Sequence, residues 1–230
     1  LDIRGIIRTI YIRMSVEVIN STVTNGVVNQ PILQDGLIAF LDPANSISYK
    51  PGRDTITNLV DYSTADLNGT YSDDKEGKAR TIRLSNTSSN KDNNVSYIQL
   101  QSLTNITTVS VWYYQHSDTT TRYLLDAREG GSGGWIYQGG PGTNWSSGTL
   151  YKNGGNSQSI LWANIETLDE WQNITVIANN PMTDDMNLFS RHTDNEALDV
   201  TFGLALVYNR VLSQSENTYN YNVVKTRFGL

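Results

Sequence analysis

From Val200 to Tyr208 the chain runs without a single charge, and its residues alternate in size. Val200, Phe202, Leu204, Leu206 and Tyr208 are bulky, and Thr201, Gly203, Ala205 and Val207 between them are small. Period two defines a strand, here with one bulky face and one flat face. Such a strand belongs in the middle of a sheet, with something packed closely on its second side. The period then changes. Ser213 is followed three residues later by Glu216, the spacing of a capping box, and Tyr219, Val223 and Val224 recur at helical intervals before Gly229 ends the run. A core strand that exits through Asn209 and Arg210 into one short helix closes the domain, so the rest of the chain has to supply the sheets around it.

Upstream, Leu1 to Arg13 carries isoleucines broken by Arg4, Arg8 and Arg13, too short and too interrupted for a membrane span. Met14-Ser-Val-Glu reads as a natural start. Residues 1–13 are expected to be a non-native or fragment-edge segment, 14–35 an N-terminal lead-in arm, and 36–230 one domain. Gly36-Leu-Ile-Ala-Phe-Leu-Asp42 is a continuous apolar run of strand length, which implies burial on both faces. Asn68-Gly-Thr-Tyr71 reads as a turn entering a strand, Ser72 to Lys78 as a solvated loop, and Ser85 to Asn94 as an exposed connection before Tyr97-Ile-Gln-Leu100. Val109 to Tyr114 is the clearest internal strand, with Val109, Val111 and Tyr113 on one face and Ser110, Trp112 and Tyr114 on the other. Strands are also expected at Tyr123 to Asp126, Trp135 to Tyr137 and Trp171 to Ile177, with a hairpin turn near Gly154. No repeat period occurs.

These residues carry a resemblance. Leu204-Ala-Leu-Val-Tyr-Asn-Arg-Val-Leu-Ser213, Glu216, Asn220-Tyr-Asn222 and Lys225-Thr-Arg-Phe-Gly-Leu230 resemble the closing strand and helix of laminin-G-like members of the concanavalin A-like lectin/glucanase superfamily. The closing segment looks most like copies in structural proteins of tailed phages and large DNA viruses. Gly36, Leu37, Leu41, Asp42, Asn45, Ser48 and Tyr49 match the segment that opens the fold in that group. Ile56 stands where the group often has Trp. The resemblance implies a jelly-roll β-sandwich of two antiparallel sheets with a short C-terminal helix.

Composition narrows the function. The chain has 230 residues, enough for one all-β domain with a sizeable core, and a net charge of -6. Its 17 basic residues are scattered, so it offers no electrostatic footprint for nucleic acid. There is no cysteine, which excludes disulfides and thiolate chemistry and suits a protein assembled in a cytoplasm. Glycosylation sequons begin at Asn20, Asn68, Asn86, Asn94, Asn105, Asn144 and Asn173, a by-product of a composition rich in Asn, Ser and Thr.

Catalysis finds little support. Retaining glucanases of this superfamily need two carboxylates about 5 Å apart, carried on alternate residues of one strand. The nearest stretch, Glu166-Thr-Leu-Asp-Glu170, puts Glu166 and Asp169 on opposite faces and reads better as a charged turn. His116 and His192 sit in polar segments expected to be solvated loops, and no Gly-x-Ser-x-Gly elbow exists. Some laminin-G-like domains bind Ca²⁺. Asp73, Asp74 and Glu76, or Asp184 and Asp185, offer oxygens for it, but neither cluster has the spacing of a calcium loop, so no cofactor is expected and Ca²⁺ alone stays open.

Aromatic residues remain. A sugar ring has apolar C–H faces rimmed by hydroxyls, and lectin sites meet it with an exposed ring beside amide groups. Trp135, Tyr137, Trp145, Tyr151 and Trp162 lie in one Gly- and Asn-rich stretch that includes Asn144. Trp145, flanked by Gly142, Asn144 and Ser146, is expected to be the most exposed; Trp135 and Tyr137 share a strand face and could instead pack in the sandwich. The expected role is a non-catalytic carbohydrate-binding or adhesion domain of a viral structural protein. Its partners would be a glycan or polysaccharide on a cell surface and other virion proteins, without membrane insertion, and its place the virion surface after assembly in a host cytoplasm. One alternative is a purely architectural virion module; the other is a glycoside hydrolase with an atypical acid pair.

Overall fold

A computed structural model describes residues 32–76, 79–86, 95–117, 122–128, 134–193 and 196–230, with two-residue strands β1 (Val23–Thr24) and β2 (Val27–Val28) before them. The segment 1–13 and most of the arm at 14–35 lie outside the described residues. The strands that follow are β3 (Leu37–Leu41), β4 (Thr55–Thr57), β5 (Thr64–Asn68), β6 (Tyr71–Glu76), β7 (Ala79–Leu84), β8 (Tyr97–Gln115), β9 (Tyr123–Asp126), β10 (Trp135–Tyr137) and β11 (Gly140–Pro141). After them come β12 (Thr149–Lys152), β13 (Ser157–Ser159), helix α1 (Trp162–Ile165), β14 (Trp171–Leu188), β15 (Val200–Tyr208), helix α2 (Gln214–Val224) and a 3-10 helix at Lys225–Phe228.

β8 and β14 are the frame. They pair antiparallel along almost their whole length, from Trp171 opposite Tyr114 to Leu188 opposite Ile98. The register shifts between Ile177 and Met182, and again as far as Met186, so the ribbon bends there. Pro181, which has no N–H for a ladder, falls inside that gap. Below the bend, β8 and β14 belong to one sheet, ordered β13, β12, β14, β8, β15, β3. Above it they join the second sheet, with β5 and β4 beyond β8, and β9, β10 and β11 beyond β14. Tyr97 to Leu100 and Val109 to Tyr114, expected as separate strands, are thus one strand bent from sheet to sheet. The architecture is the expected antiparallel sandwich with a short C-terminal helix.

All of β15 is buried, as its lack of charge requires. Its bulky face, however, is not continuous. Phe202 pairs with Tyr113 and Leu204 with Trp112, so Gly203 is an extra residue that reverses the parity of the strand. Val200 and Phe202 enter the core between the sheets, together with Ala205 and Val207. Leu204, Leu206 and Tyr208 face outward into a second core with Trp112, Trp171, Val224 and Phe228. The Trp171 and Phe228 rings stack at 4.3 Å, and a Cβ on Gly203 would come within 2.5 Å of Phe228 and 2.8 Å of Trp171. Here the absence of a side chain lets the C-terminal segment close over the sheet.

α2 begins at the expected capping box: Ser213 Oγ accepts from the Glu216 N–H, and the Glu216 carboxylate accepts from the Ser213 N–H. Its inner face is more polar than the pattern implied, with Asn217, Asn220 and Val224 buried and Tyr219 and Val223 only partly so. Asn220 is a connector. Its Nδ2 donates to the Tyr208 hydroxyl at 2.9 Å, its Oδ1 accepts from Leu33 N at 3.2 Å, and the hydroxyl donates to Leu33 O at 3.0 Å. The end of the lead-in arm is thereby fixed to strand and helix.

β3 is an edge strand, and Asn58 covers its free side. Asn58 Oδ1 accepts from Phe40 N at 2.8 Å and Nδ2 donates to Ile38 O at 3.1 Å, the two bonds a neighbouring strand would make. Two sequence expectations are corrected elsewhere. The expected loop from Ser72 is strand β6, paired with β7 along Tyr71–Glu76; an edge strand needs backbone pairing on one side only, so the exposed side chains of Ser72, Asp73 and Asp74 are no obstacle. Asn86, expected in an exposed connection, is buried, with its amide bonded to Ser96 and Leu198; residues 87–94 lie outside the described residues. Among the described residues no helix is long and apolar enough to cross a membrane.

Candidate functional site

The aromatic stretch divides between interior and surface. Trp145 is 0% exposed and lies in the core between the sheets, the reverse of its expected exposure. Trp162 on α1 and Tyr151 on β12 are also buried. The glycines beside Trp145 do not expose it. A Cβ on Gly134 would fall 2.7 Å from the indole, so that glycine allows backbone to pack directly onto the ring. The turn that carries Trp145 is docked on β14, with Asn179 N donating to the Asn144 carbonyl at 2.9 Å; Asn144 is half-buried. Trp162 lies under the buried Arg122, whose guanidinium carbon is 5.5 Å from the ring centroid and which is ion-paired with Glu166.

Trp135 and Tyr137 behave differently. Both are half-buried on β10, and β9 supplies their neighbours. Trp135 pairs with Asp126 and Ile136 with Leu125, but Tyr137 pairs with Tyr123, so Leu124 is an extra residue. That bulge turns Leu124 and Leu125 both inward and sets Tyr123 and Asp126 on the same outward face, although they are three apart in sequence. The Tyr123 and Tyr137 rings stack at 5.1 Å with 22° between their planes. The Arg128 guanidinium lies 4.2 Å from the Trp135 ring centroid and 5.7 Å from that of Tyr123.

Asp126 organises this face. Its side chain is fully buried, and it accepts from Arg128 Nε at 2.8 Å and Nη2 at 2.6 Å, and from His192 N at 3.1 Å, with His192 Nδ1 also at 3.1 Å. The bidentate bond to Asp126 strengthens the hold of Arg128 on its proton. Burial pushes the Tyr123 phenol up, partly offset by Arg128. Beside His192, Arg191 donates to Glu196 at 3.2 Å. The face therefore presents partly exposed rings next to a guanidinium and an imidazole held in position by a carboxylate beneath them. It can offer C–H contact and hydrogen-bond donors to a hydroxylated ligand without reorganising.

The two histidines are not the solvated side chains expected. His116 Nε2 is 2.8 Å from Thr201 Oγ1, its ring is 4.7 Å from Tyr114, and burial, aided by Arg83, lowers its pKa. Glu166 is committed to Arg122, while Asp169 N donates to Gln115 O. Among the described residues no group of three or more His, Asp or Glu side chains is arranged to hold a metal ion; the side chain of Glu76 lies outside that description. Of the sequons, Asn86 and Asn173 are buried.

No protein-family model and no curated protein matches the chain. Solved structures do. The Trypanosoma rangeli sialidase in complex with 2,3-difluorosialic acid is similar with a TM-score of 0.52 at 11% identity, over 96% of this chain and 39% of that one. The botulinum neurotoxin type G receptor binding domain gives 0.51 at 14% identity, over 82% and 51%. Domain 4 of AbnA, a GH43 extracellular arabinanase from Geobacillus stearothermophilus, solved with arabinotriose, gives 0.51 at 13% identity, over 80% and 98%. The chain thus spans about 39% of the length of the sialidase. At these identities the likeness establishes the fold, a concanavalin A-like β-sandwich, and nothing finer.

Proposed function

We propose that this chain is a non-catalytic carbohydrate-binding domain that takes a glycan on the outward face of β9 and β10. The observation that carries the reading is the set of partly exposed Trp135 and Tyr137 beside Arg128 and His192, both fixed by the buried Asp126. A pyranose or furanose unit would lie against the ring edges, with its hydroxyls taken by the guanidinium and imidazole donors. A non-catalytic role is supported by the ion pair of Glu166 with the buried Arg122, which engages that carboxylate within the protein rather than leaving it for a substrate. We further place the domain on a virion surface, exposed after assembly in a host cytoplasm, with other virion proteins as neighbours and a cell-surface glycan as target. The likeness of the Leu204 to Leu230 ending to viral copies, and the lack of cysteine, support that setting.

A glycan array probed with the whole chain tests the reading, with arabinotriose included because a domain of this fold was solved with it. Binding that is weakened in Trp135→Ala and in Arg128→Ala supports it; an array without any signal overturns it. The second reading, an architectural module, is favoured by the burial of Trp145, Trp162 and Tyr151. A blank array together with a defined complex with a neighbouring structural protein would establish that reading instead.

A further inference from the structure

We propose a second ligand site, separate from the β9 and β10 face: the cleft between the Asp61 turn and the bend of β8, built for a neutral sugar unit. The cleft has a volume of about 330 Å³, and its apolar lining includes Ile38, Val60 and Leu103. Its polar lining includes Asp61, Ser63, Gln101 and Thr104, and no lysine, arginine or histidine takes part. Hydroxyl, amide and single carboxylate groups around apolar C–H surface match a sugar that has hydroxyls on its edge and C–H bonds on its face. An anionic ligand would find no counter-charge among these residues. Asp61 Oδ1 is already taken by Ser63 and Asn58, which leaves too few oxygens for a cation.

The edge of the cleft is exposed and rigid. Tyr62, between two lining residues, is 55% exposed, and Val60 is 40% exposed, in a chain whose large apolar side chains are otherwise mostly inside. Tyr62, Ser102 and Asn105 all have left-handed φ values, of 63°, 54° and 58°. For residues with a Cβ that conformation is disfavoured, and it persists where surrounding bonds enforce it. Those bonds are present: Tyr62 N donates to Asn58 O at 2.9 Å, Ser102 N to Asp185 Oδ1 at 2.5 Å, and Asn105 N to Thr183 Oγ1 at 3.2 Å. A ligand entering the cleft therefore meets walls that are already in place.

The test is amide NMR on the ¹⁵N-labelled full chain, titrated separately with methyl glucoside, methyl galactoside and arabinotriose. Shifts at Val60 to Ser63 and Gln101 to Thr104 are expected with at least one sugar, and they should persist in Trp135→Ala. Thr104→Trp, which fills the cleft from an exposed position, should abolish them. Gln101→Ala, at an exposed lining residue, should weaken binding roughly two- to tenfold through loss of a hydrogen bond, and it serves if the bulkier variant fails to fold. Absence of shifts with all three sugars, or shifts that survive both variants, overturns the second site. Shifts confined to β9 and β10 overturn it as well while leaving the function proposed above intact.

Discussion

Asp42 and Arg227 form a two-point ion pair in which both side chains are 2% exposed, with Nη2 to Oδ1 at 2.6 Å and Nη1 to Oδ2 at 3.1 Å. It joins the end of β3 to the last turn of the chain, 185 residues apart. The same carboxylate accepts from Ala44 N at 3.1 Å, so its charge is well solvated by the protein. Removing one partner leaves the other charge buried alone, which costs about 3–5 kcal/mol, whereas replacing both by apolar groups of similar volume is often close to neutral. Asp42→Ala should lower the urea midpoint sharply, and Asp42→Leu with Arg227→Met should recover most of the loss. A double variant as unstable as the single one would mean that packing, not charge, holds this corner.

Gly203 carries the bulge of β15 and lies against the stacked Trp171 and Phe228 rings. With a Cβ expected 2.5 Å from Phe228, Gly203→Ala must displace the C-terminal segment. A cost of about 1–3 kcal/mol is expected, with a change in the near-ultraviolet signal of Trp171. Gly69→Ala would test a different turn, so the diagnostic result is the tryptophan signal: if it stays constant, the rings are not seated on Gly203.

What the sequence conveyed, and what it did not, follows from where each instruction is encoded. The period-two pattern of β15 and the Ser213 to Glu216 spacing are local, and both elements form as expected. The extra residues at Gly203 and Leu124 are set by pairing across strands, and a single insertion reverses which face every later side chain takes. The inner core thus takes Phe202 but not Leu204, and Tyr123 and Asp126 share an outward face. The join of Tyr97 to Leu100 with Val109 to Tyr114 was hidden by the polar residues between them, which lie at the bend. Of the candidate site, Trp135 and Tyr137 were visible as aromatic residues on a strand. Their partner His192 is 66 residues from Asp126, and no spacing rule reaches that far.

Trp145 and Trp135 should respond differently to truncation. Trp145 fills the inner core, so Trp145→Ala leaves a cavity at a cost of about 3–5 kcal/mol, read as a fall in thermal midpoint. Trp135 is partly exposed at the surface, so Trp135→Ala should cost less stability and should remove glycan binding at the β9 and β10 face. Equal destabilisation by the two variants, with binding unchanged in Trp135→Ala, would remove the β9 and β10 face as the site.

Glu216 links the capping box to the strand exit and gives a pH signature. The Arg210 guanidinium at 2.8 Å, followed by the Ser213 N–H at 2.8 Å, holds its carboxyl down to about 2, against an ordinary value of 4.5. A carboxyl whose pKa is lower in the folded state stabilises fully above its unfolded value, and the contribution is lost as pH falls through the folded one. The window is therefore about 4.5 down to about 2. Glu216→Gln keeps the length of the side chain and the capacity to accept from Ser213 N but removes the charge that Arg210 faces. Comparing the two proteins isolates Glu216 from the other acids: wild type should be the more stable near neutrality, and the gap should close across that window. The side chain is partly exposed, so the gap should also shrink with added salt. A gap that is unchanged at low pH would mean that the substitution acts through helix geometry and that the Arg210 contact contributes no net electrostatic stability.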